Sequence, residues 1–274
     1  MLDPSSSVIP TSAVFALLPT DIMSLMPSSP TVNVVIQARA SSARLPGKVL
    51  RRLGDRSVLG WVVRAALRTP GVDGVVVATS DAGDDDAVAE EARRHGAEVV
   101  RGPLDDVLAR FLVACETYPA DAVLRLTADC PLHDPALLAQ VVALWRAQPE
   151  LDYVSTTLVR TLPRGFDAEL VRVPVLEEQA RRPGGPHREH VTYGVVCDPG
   201  SYACAGVVVA PRADDLRVTL DTEDDWALLD ALVRELRVRH DEGPFAWRDV
   251  VALLRERDDL VAMNAHVEQK KVTG

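Results

Sequence analysis

Three cations fall within ten residues of one another: Arg39, Arg44 and Lys48, in the stretch Gln37-Ala38-Arg39-Ala40-Ser41-Ser42-Ala43-Arg44-Leu45-Pro46-Gly47-Lys48. The chain around them is acidic, with 40 Asp and Glu against 30 Lys and Arg and a formal net charge of −10. Positive charge concentrated locally in such a chain calls for a dense anion, and a triphosphate is one. Arginine forks bind phosphate oxygens two at a time, lysine supplies a point charge, and Gly47 lets the backbone come close. The stretch is not a Walker A loop, because Val49 follows Lys48 and position 42 is Ser, and it holds no GxGxxG dinucleotide turn. The plain alternative is a solvated basic loop, since Arg and Lys are mostly exposed in any protein.

Such a loop needs a scaffold to aim it. Val32-Asn33-Val34-Val35-Ile36 is short, apolar and β-branched, as a strand buried on both faces should be. An amphipathic stretch from about Val58 to Arg68 follows, then Val75-Val76-Val77-Ala78 as a second buried strand. Asp84-Asp85-Asp86 precedes Ala87-Val88-Ala89-Glu90-Glu91-Ala92, where acids favour a helix N-terminus; caps and solvated charge explain the triplet. Glu98-Val99-Val100 reads as a third strand, Asp105 to Cys115 as a helix, Ala122 to Thr127 as a fourth strand, and Pro135 opens a helix to about Trp145. Strands alternating with helices predict an α/β fold with a doubly wound, mostly parallel sheet. Ligands on such sheets sit at the carboxyl ends of the strands. The basic loop follows the first of them.

Composition bounds the rest. The 274 residues, 47% apolar and 26% charged, suit one large globular α/β unit. The net charge works against broad attraction to nucleic acid or an anionic membrane, so neither is expected as a partner. Cys115, Cys130, Cys197 and Cys204 form no CxxC pair and read as reduced thiols of a cytoplasmic protein. Residues 1–31 are rich in Ser, Pro and Met with no Lys or Arg before Arg39, so the basic region of a secretory signal is missing. They read as a disordered extension, or as the product of an upstream start codon with Met23 or Met26 as the true start. A single large domain is expected over 32–274.

Taken in order, the motifs resemble a known family. QAR, a short gap and RLPGK are similar to the signature of cytidylyltransferases that make CMP-activated acidic sugars, most closely the SpsF-like branch named for spore-coat polysaccharide biosynthesis. Val77-Ala78-Thr79-Ser80-Asp81, Arg101-Gly102 with Asp105-Asp106-Val107-Leu108-Ala109-Arg110, and Arg125-Leu126-Thr127-Ala128-Asp129-Cys130-Pro131 continue the likeness. So do Gly165-Phe166-Asp167-Ala168-Glu169, Arg188-Glu189-His190-Val191-Thr192, Arg217-Val218-Thr219-Leu220-Asp221-Thr222 and the tail Asn264 to Lys270. Coverage runs from about Val32 to the C-terminus.

The resemblance implies a nucleotide-diphospho-sugar transferase type of fold with a small β-arm, and transfer of CMP from CTP to an anionic acceptor with release of pyrophosphate. By carry-over, Arg39, Arg44 and Lys48 bind the triphosphate beside the Ala38 and Ala128 backbone, with Lys48, Arg39 and Asp129 as the catalytic set. Asp129 and Asp221 each follow an apolar strand and carry over to the metal-binding aspartates, holding Mg²⁺, which favours carboxylate, phosphate and water oxygens. Cytosine is expected near Ala78, Thr79 and Ser80 and near Asp106; the choice of C over U comes from the resemblance alone. One departure is Ala128, where the family has Gly, whose extra methyl narrows the ribose side.

For the acceptor, Arg164, Arg188 and His190 offer cations suited to a carboxylate, phosphate or phosphonate, and Asp167 and Glu169 take hydroxyl groups or orient Arg188. His187, Glu189 and His190 as zinc ligands are an alternative that lacks a further ligand at family spacing, and a structural ion-pair cluster is the plain one. Residues 152–192 are expected to extend the main sheet, bind acceptor and, as a β-arm in relatives, pair two subunits into a homodimer. Two other classes are open. A nucleotide-sugar glycosyltransferase usually holds metal with a mid-chain DxD, whereas Asp129 is followed by Cys130-Pro131; a non-catalytic nucleotide-binding module has no need of Lys48, Asp129 and Asp221.

Overall fold

The computed structural model describes residues 29–240 and 242–269. Most of the extension expected over 1–31, and Lys270 of the tail motif, lie outside them.

Four strands form the parallel heart of a seven-stranded sheet: β1 (Val32–Gln37), β4 (Gly74–Ser80), β5 (Glu98–Gly102) and β6 (Ala122–Thr127). β2 (Arg52–Leu53) and β3 (Arg56–Ser57) make a separate two-stranded hairpin. The sheet order is β5-β4-β1-β6 and then β8 (Glu169–Arg172), β7 (Tyr153–Ser155) and β9 (Cys204–Gly206). β8 is antiparallel to both β6 and β7, while β9 runs parallel to β7. Six strands therefore share one direction. Residues 152–192 extend the main sheet through β7 and β8; among the described residues they form no β-arm separate from it.

Both sheet faces are buried, which explains the unbroken apolar runs. Val32, Val34 and Ile36 of β1 and Val75 and Val77 of β4 pack into one core with α1 (Val58–Leu67), α2 (Asp86–Arg94) and α4 (Pro135–Ala147). Val35, Val76 and Ala78 point the other way, onto α3 (Val107–Thr117) and α5 (Val173–Arg181). A short α6 (Tyr193–Val196) follows α5. A third core joins Trp61 and Leu137 to α7 (Glu223–His240), α8 (Trp247–Glu256) and α9 (Asp258–Asn264). No helix among the described residues is long and apolar enough to cross a membrane.

Local chemistry starts the helices where the pattern says. Ser57 caps α1 through Gly60 N, Asp106 caps α3 through Ala109 N, and Asp134 caps α4 through Ala136 N ahead of Pro135. α3 thus starts two residues later than Asp105, its expected first residue. The register aligns the strand ends, with Gln37 opposite both Ala78 and Thr127 and Ser80 opposite Gly102. The loops that follow β1, β4, β5 and β6 therefore open on one side of the sheet.

Candidate active site

Lys48 stands at the centre of that side. Gly47, at φ 68, turns the chain into a short 3₁₀ turn spanning Lys48–Leu50, a left-handed conformation glycine adopts without steric cost. The Lys48 ammonium donates to Asp129 Oδ2 at 2.7 Å, to Leu220 O at 2.7 Å and to Asp221 Oδ1 at 2.9 Å, which uses all three of its protons. Burial draws its pKa down, but the attraction and hydrogen bonds of Asp129 and Asp221 outweigh that and leave it above its ordinary value. The two aspartates meet because the segment before α7 lies along the end of β6: Leu220 N donates to Asp129 O at 2.8 Å.

Asp221 is held more firmly than Asp129. Its second oxygen receives Arg217 at 2.8 Å and Arg44 at 3.0 Å. Burial works to raise its pKa, yet Lys48, Arg217 and Arg44 hold the carboxyl below the ordinary range. Arg217 is itself clamped by the fully buried Asp225, which also receives Asn264 Nδ2 at 2.8 Å. Gln269 Oε1 accepts from Arg217 at 2.9 Å. The tail motif therefore closes over the back of the site through Asn264 and Gln269.

Two adjoining cavities flank Lys48. The first, about 870 Å³, is walled by Ala38, Arg39, Arg44, Lys48 and Ala128. The second, about 620 Å³, lies toward β8 and includes Arg125, Arg160, Arg164, Asp167, Glu169 and His190. Arg44, Asp129, Glu189 and Asp221 belong to both walls. Arg39 reaches across to Glu189 Oε1 at 3.2 Å. Of the three carboxylates common to both walls, Asp129 and Asp221 are the two that converge on Lys48, and such a pair suits a hard divalent ion that takes its other oxygens from phosphate and water; no group of three or more His, Cys, Asp or Glu side chains gathers among the described residues. The same finding leaves the zinc alternative at His187, Glu189 and His190 without a ligand set.

In the second cavity most charges are already matched. Arg160 forms a two-pronged bond to Asp167 at 2.6 and 2.7 Å. Glu169 binds Arg125 through one oxygen, and its other oxygen accepts from Tyr153 Oη at 2.5 Å and from Thr192 Oγ1 at 2.7 Å, so the hydroxyl group expected of it has only the first oxygen left to bond. Arg164 differs: among the described residues its guanidinium has no hydrogen-bond or ion-pair partner. Burial and then the nearby Arg160 charge hold its pKa below the ordinary value. Its backbone is fixed by Gly165, at φ 114, whose missing Cβ would lie 2.7 Å from Val218 C. That closeness lets Arg164 N bond Leu216 O at 3.0 Å and Arg164 O accept from Val218 N at 2.7 Å.

Other expected residues lie elsewhere. Arg188 does not line the second cavity and is not oriented by Asp167 or Glu169; it donates to Asp106 Oδ2 at 3.1 Å and to Ala180 O at 2.7 Å, because its turn packs on the start of α3. Asp106 is occupied by that pair and by its cap. Ala78, Thr79 and Ser80 end β4 but line neither cavity; the Thr79 hydroxyl is buried without a partner, and Ser80 is bonded to Asp85. Three residues at the site, Asp85, Arg160 and Asp225, stand in no chemical motif, and only a carboxylate just ahead of a helix marks Asp85. All four cysteines are free.

Known proteins share the sequence pattern and the fold. A cytidylyltransferase family model matches residues 33–192. The spore coat polysaccharide biosynthesis protein SpsF of Bacillus subtilis is 32% identical over 241 residues, 82% of this chain and 94% of its own. A 3-deoxy-manno-octulosonate cytidylyltransferase of Anaeromyxobacter dehalogenans is 33% identical over 156 residues, 56% of this chain and 60% of its own. The structure of a cytidylyltransferase from Leptospira borgpetersenii superposes with a TM-score of 0.80 at 27% identity, covering 88% of this chain and 99% of that one. The chain belongs to the cytidylyltransferase family.

Proposed function

We propose that this cytidylyltransferase transfers CMP from CTP to an anionic acceptor and releases pyrophosphate, with the triphosphate in the first cavity and the acceptor in the second. The observation that carries the proposal is the position of Lys48, bonded to Asp129 and Asp221 where the two cavities meet. An acceptor oxygen attacks the α-phosphorus; the bond from that phosphorus to the oxygen bridging toward the β-phosphate breaks, and pyrophosphate departs in line. An acceptor hydroxyl, as an acidic sugar presents, loses its proton to solvent water in this step, whereas an ionised phosphate or phosphonate oxygen has none to give.

Mg²⁺ held by Asp129 and Asp221 supplies neutralisation of charge at the phosphates. Arg39, Arg44 and Lys48 bind the triphosphate oxygens, and Lys48 is placed to follow charge as it develops. Arg44 and Lys48 neutralise Asp129 and Asp221 in the free protein, so an arriving triphosphate exchanges partners with carboxylates instead of meeting bare cations. Arg164 receives the acceptor's anionic group, His190 lies on the same wall, and Asp167 orients Arg160. An acidic sugar is the first choice of acceptor, supported by the relative that acts on 3-deoxy-manno-octulosonate, with a phosphonate next.

Pyrophosphate release with CTP, UTP, ATP and GTP, each with Mg²⁺ and a panel of sugar acids, sugar phosphates and phosphonates, tests the proposal. Release with CTP and an anionic acceptor supports it. No pyrophosphate with any of the four nucleotides points away from nucleotidyl transfer, to a glycosyltransferase or, where CTP binds without turnover, to a binding module.

A further inference from the structure

The Asp84-Asp85-Asp86 triplet is explained at sequence level by helix capping, but its middle carboxylate does something else. Asp85 is 2% exposed. One of its oxygens accepts from Ala40 N at 2.6 Å, and the other accepts from Ser80 N at 3.0 Å and from the Ser80 hydroxyl. Ala40 belongs to the basic loop after β1, and Ser80 ends β4. A single buried carboxylate thus ties the basic loop that walls the first cavity to the end of β4.

Each side of the tie is braced. On the loop side, Ala40 O accepts from Gly47 N at 2.9 Å, so the residue that Asp85 holds by its N–H also fixes, by its carbonyl, the residue before Lys48. Residues 40–47 are drawn into a ring with Arg44 on it, and Arg39 and Lys48 at its two ends. On the β4 side, Arg101 donates from Nε to Ser80 O at 2.7 Å and from its terminal nitrogens to Ala82 O at 2.8 Å and Asp86 Oδ1 at 2.5 Å. The turn that carries Asp85 cannot drift without breaking these bonds. A buried carboxylate that accepts two backbone N–H bonds and a hydroxyl is also costly to replace, because its donors lose their partners without gaining water.

We propose that Asp85 is a positioning residue for triphosphate binding: through Ala40 and Gly47 it holds Arg39, Arg44 and Lys48 in the arrangement that receives the phosphates. The inference rests on the proposed function. Asp85 touches no phosphate itself, and as an anion it would oppose one; its contribution is geometric. Ordering the loop before the ligand arrives removes an entropic cost that binding would otherwise carry.

Asp85→Asn keeps the shape but offers an N–H where the carboxylate accepted one. Calorimetry with CTP and Mg²⁺, and separately with inorganic triphosphate and Mg²⁺, is expected to show both affinities reduced at least about tenfold, at temperatures where circular dichroism shows the variant folded. Equal affinity of the folded variant and the parent for both probes overturns the inference. Hydrogen exchange on the parent protein gives a second reading that does not depend on the variant folding. The Ala40 and Gly47 amides should be protected while those of Ser41, Ser42 and Ala43 exchange quickly; an Ala40 amide that exchanges as fast as these three also overturns it. A parent protein that binds neither probe removes the proposed function, and this inference with it, whereas failure confined to Asp85→Asn leaves that function standing.

Discussion

Lys48 and Asp221 are 173 positions apart in the chain and 2.9 Å apart in space, with Asp129 sharing the same ammonium at 2.7 Å. Truncating the lysine leaves two carboxylates facing each other without their cation and takes from the phosphates a charge placed to respond during transfer. Lys48→Met is expected to lower kcat/KM for CTP by roughly 10²–10³-fold, the range seen when one preorganised donor to a developing charge is removed. Stopped pyrophosphate assays measure this. A variant within threefold of the parent would show that Lys48 is a structural tie and no more.

Arg39 and Glu189 join the walls of the two cavities through one bond of 3.2 Å, with side chains 35% and 50% exposed. A pair so exposed is weak, so a triphosphate can take Arg39 away at small cost. Glu189→Ala should therefore tighten CTP binding by about two- to fivefold, on the scale of an exposed ion pair. Simple repulsion between Glu189 and phosphate predicts the same sign, and a double-mutant cycle separates the two. If the pair competes with CTP, the gain vanishes in the Arg39→Ala background; if it persists there, repulsion alone is at work.

The parallel half of the fold was legible in the sequence because its strands are buried on both faces and leave apolar runs with turn signals between them. Ala122–Thr127 and the start of the helix at Pro135 fall where the pattern places them. β8 and β7 were seen only as an extension: Glu169 heads one strand and pairs across it with Ser155 and Arg125, a buried charge that breaks the apolar pattern. The cations of the first loop were legible from their density alone. Asp129 and Asp221 emerged from ordered motifs, since nothing in their spacing says that Leu220 N will bond Asp129 O. Arg188 and Asp106 were assigned separate binding roles because a contact between residues 82 apart leaves no local trace.

Arg164 has no partner for its guanidinium among the described residues, while Arg160 beside it is fully engaged by Asp167. If the acceptor's anion completes that site, Arg164→Gln should raise the acceptor KM by roughly 10- to 100-fold, the value of a charge-assisted bond, and leave CTP affinity within about twofold. An acceptor KM that does not move would relocate the anion to another group on that wall. Gly165→Ala tests the placement of the same side chain. At φ 114 and 2.7 Å from Val218 C, a methyl group forces the Arg164 backbone off its partners, with an expected loss of at least about 2 kcal/mol in unfolding free energy. Chemical denaturation measures that loss, and a stability equal to the parent would show that the backbone bonds from Arg164 to Leu216 and Val218 adapt.

His133 gives the fold a pH dependence of its own. Its ring is 1% exposed, with neither nitrogen bonded. Burial lowers its pKa from the ordinary 6.5 to about 4, against the opposing pull of Asp167 and Asp129. Between these two values the unfolded chain binds a proton that the folded chain refuses, so stability must fall as pH falls through that window and is fully present above it. A depression of this size corresponds to on the order of 3 kcal/mol. His133→Leu removes the group from both states. Unfolding free energies from denaturant titrations at pH 7.5, 6, 5 and 4.5 should then fall less steeply for the variant than for the parent, and the gap between the two slopes should lie below pH 6.5. Asp221, Asp225 and Asp167, whose carboxyls are held below their ordinary range, add losses only at lower pH, below about 4. Parallel curves for parent and variant would mean that His133 gains a proton in the folded protein as readily as in the unfolded one.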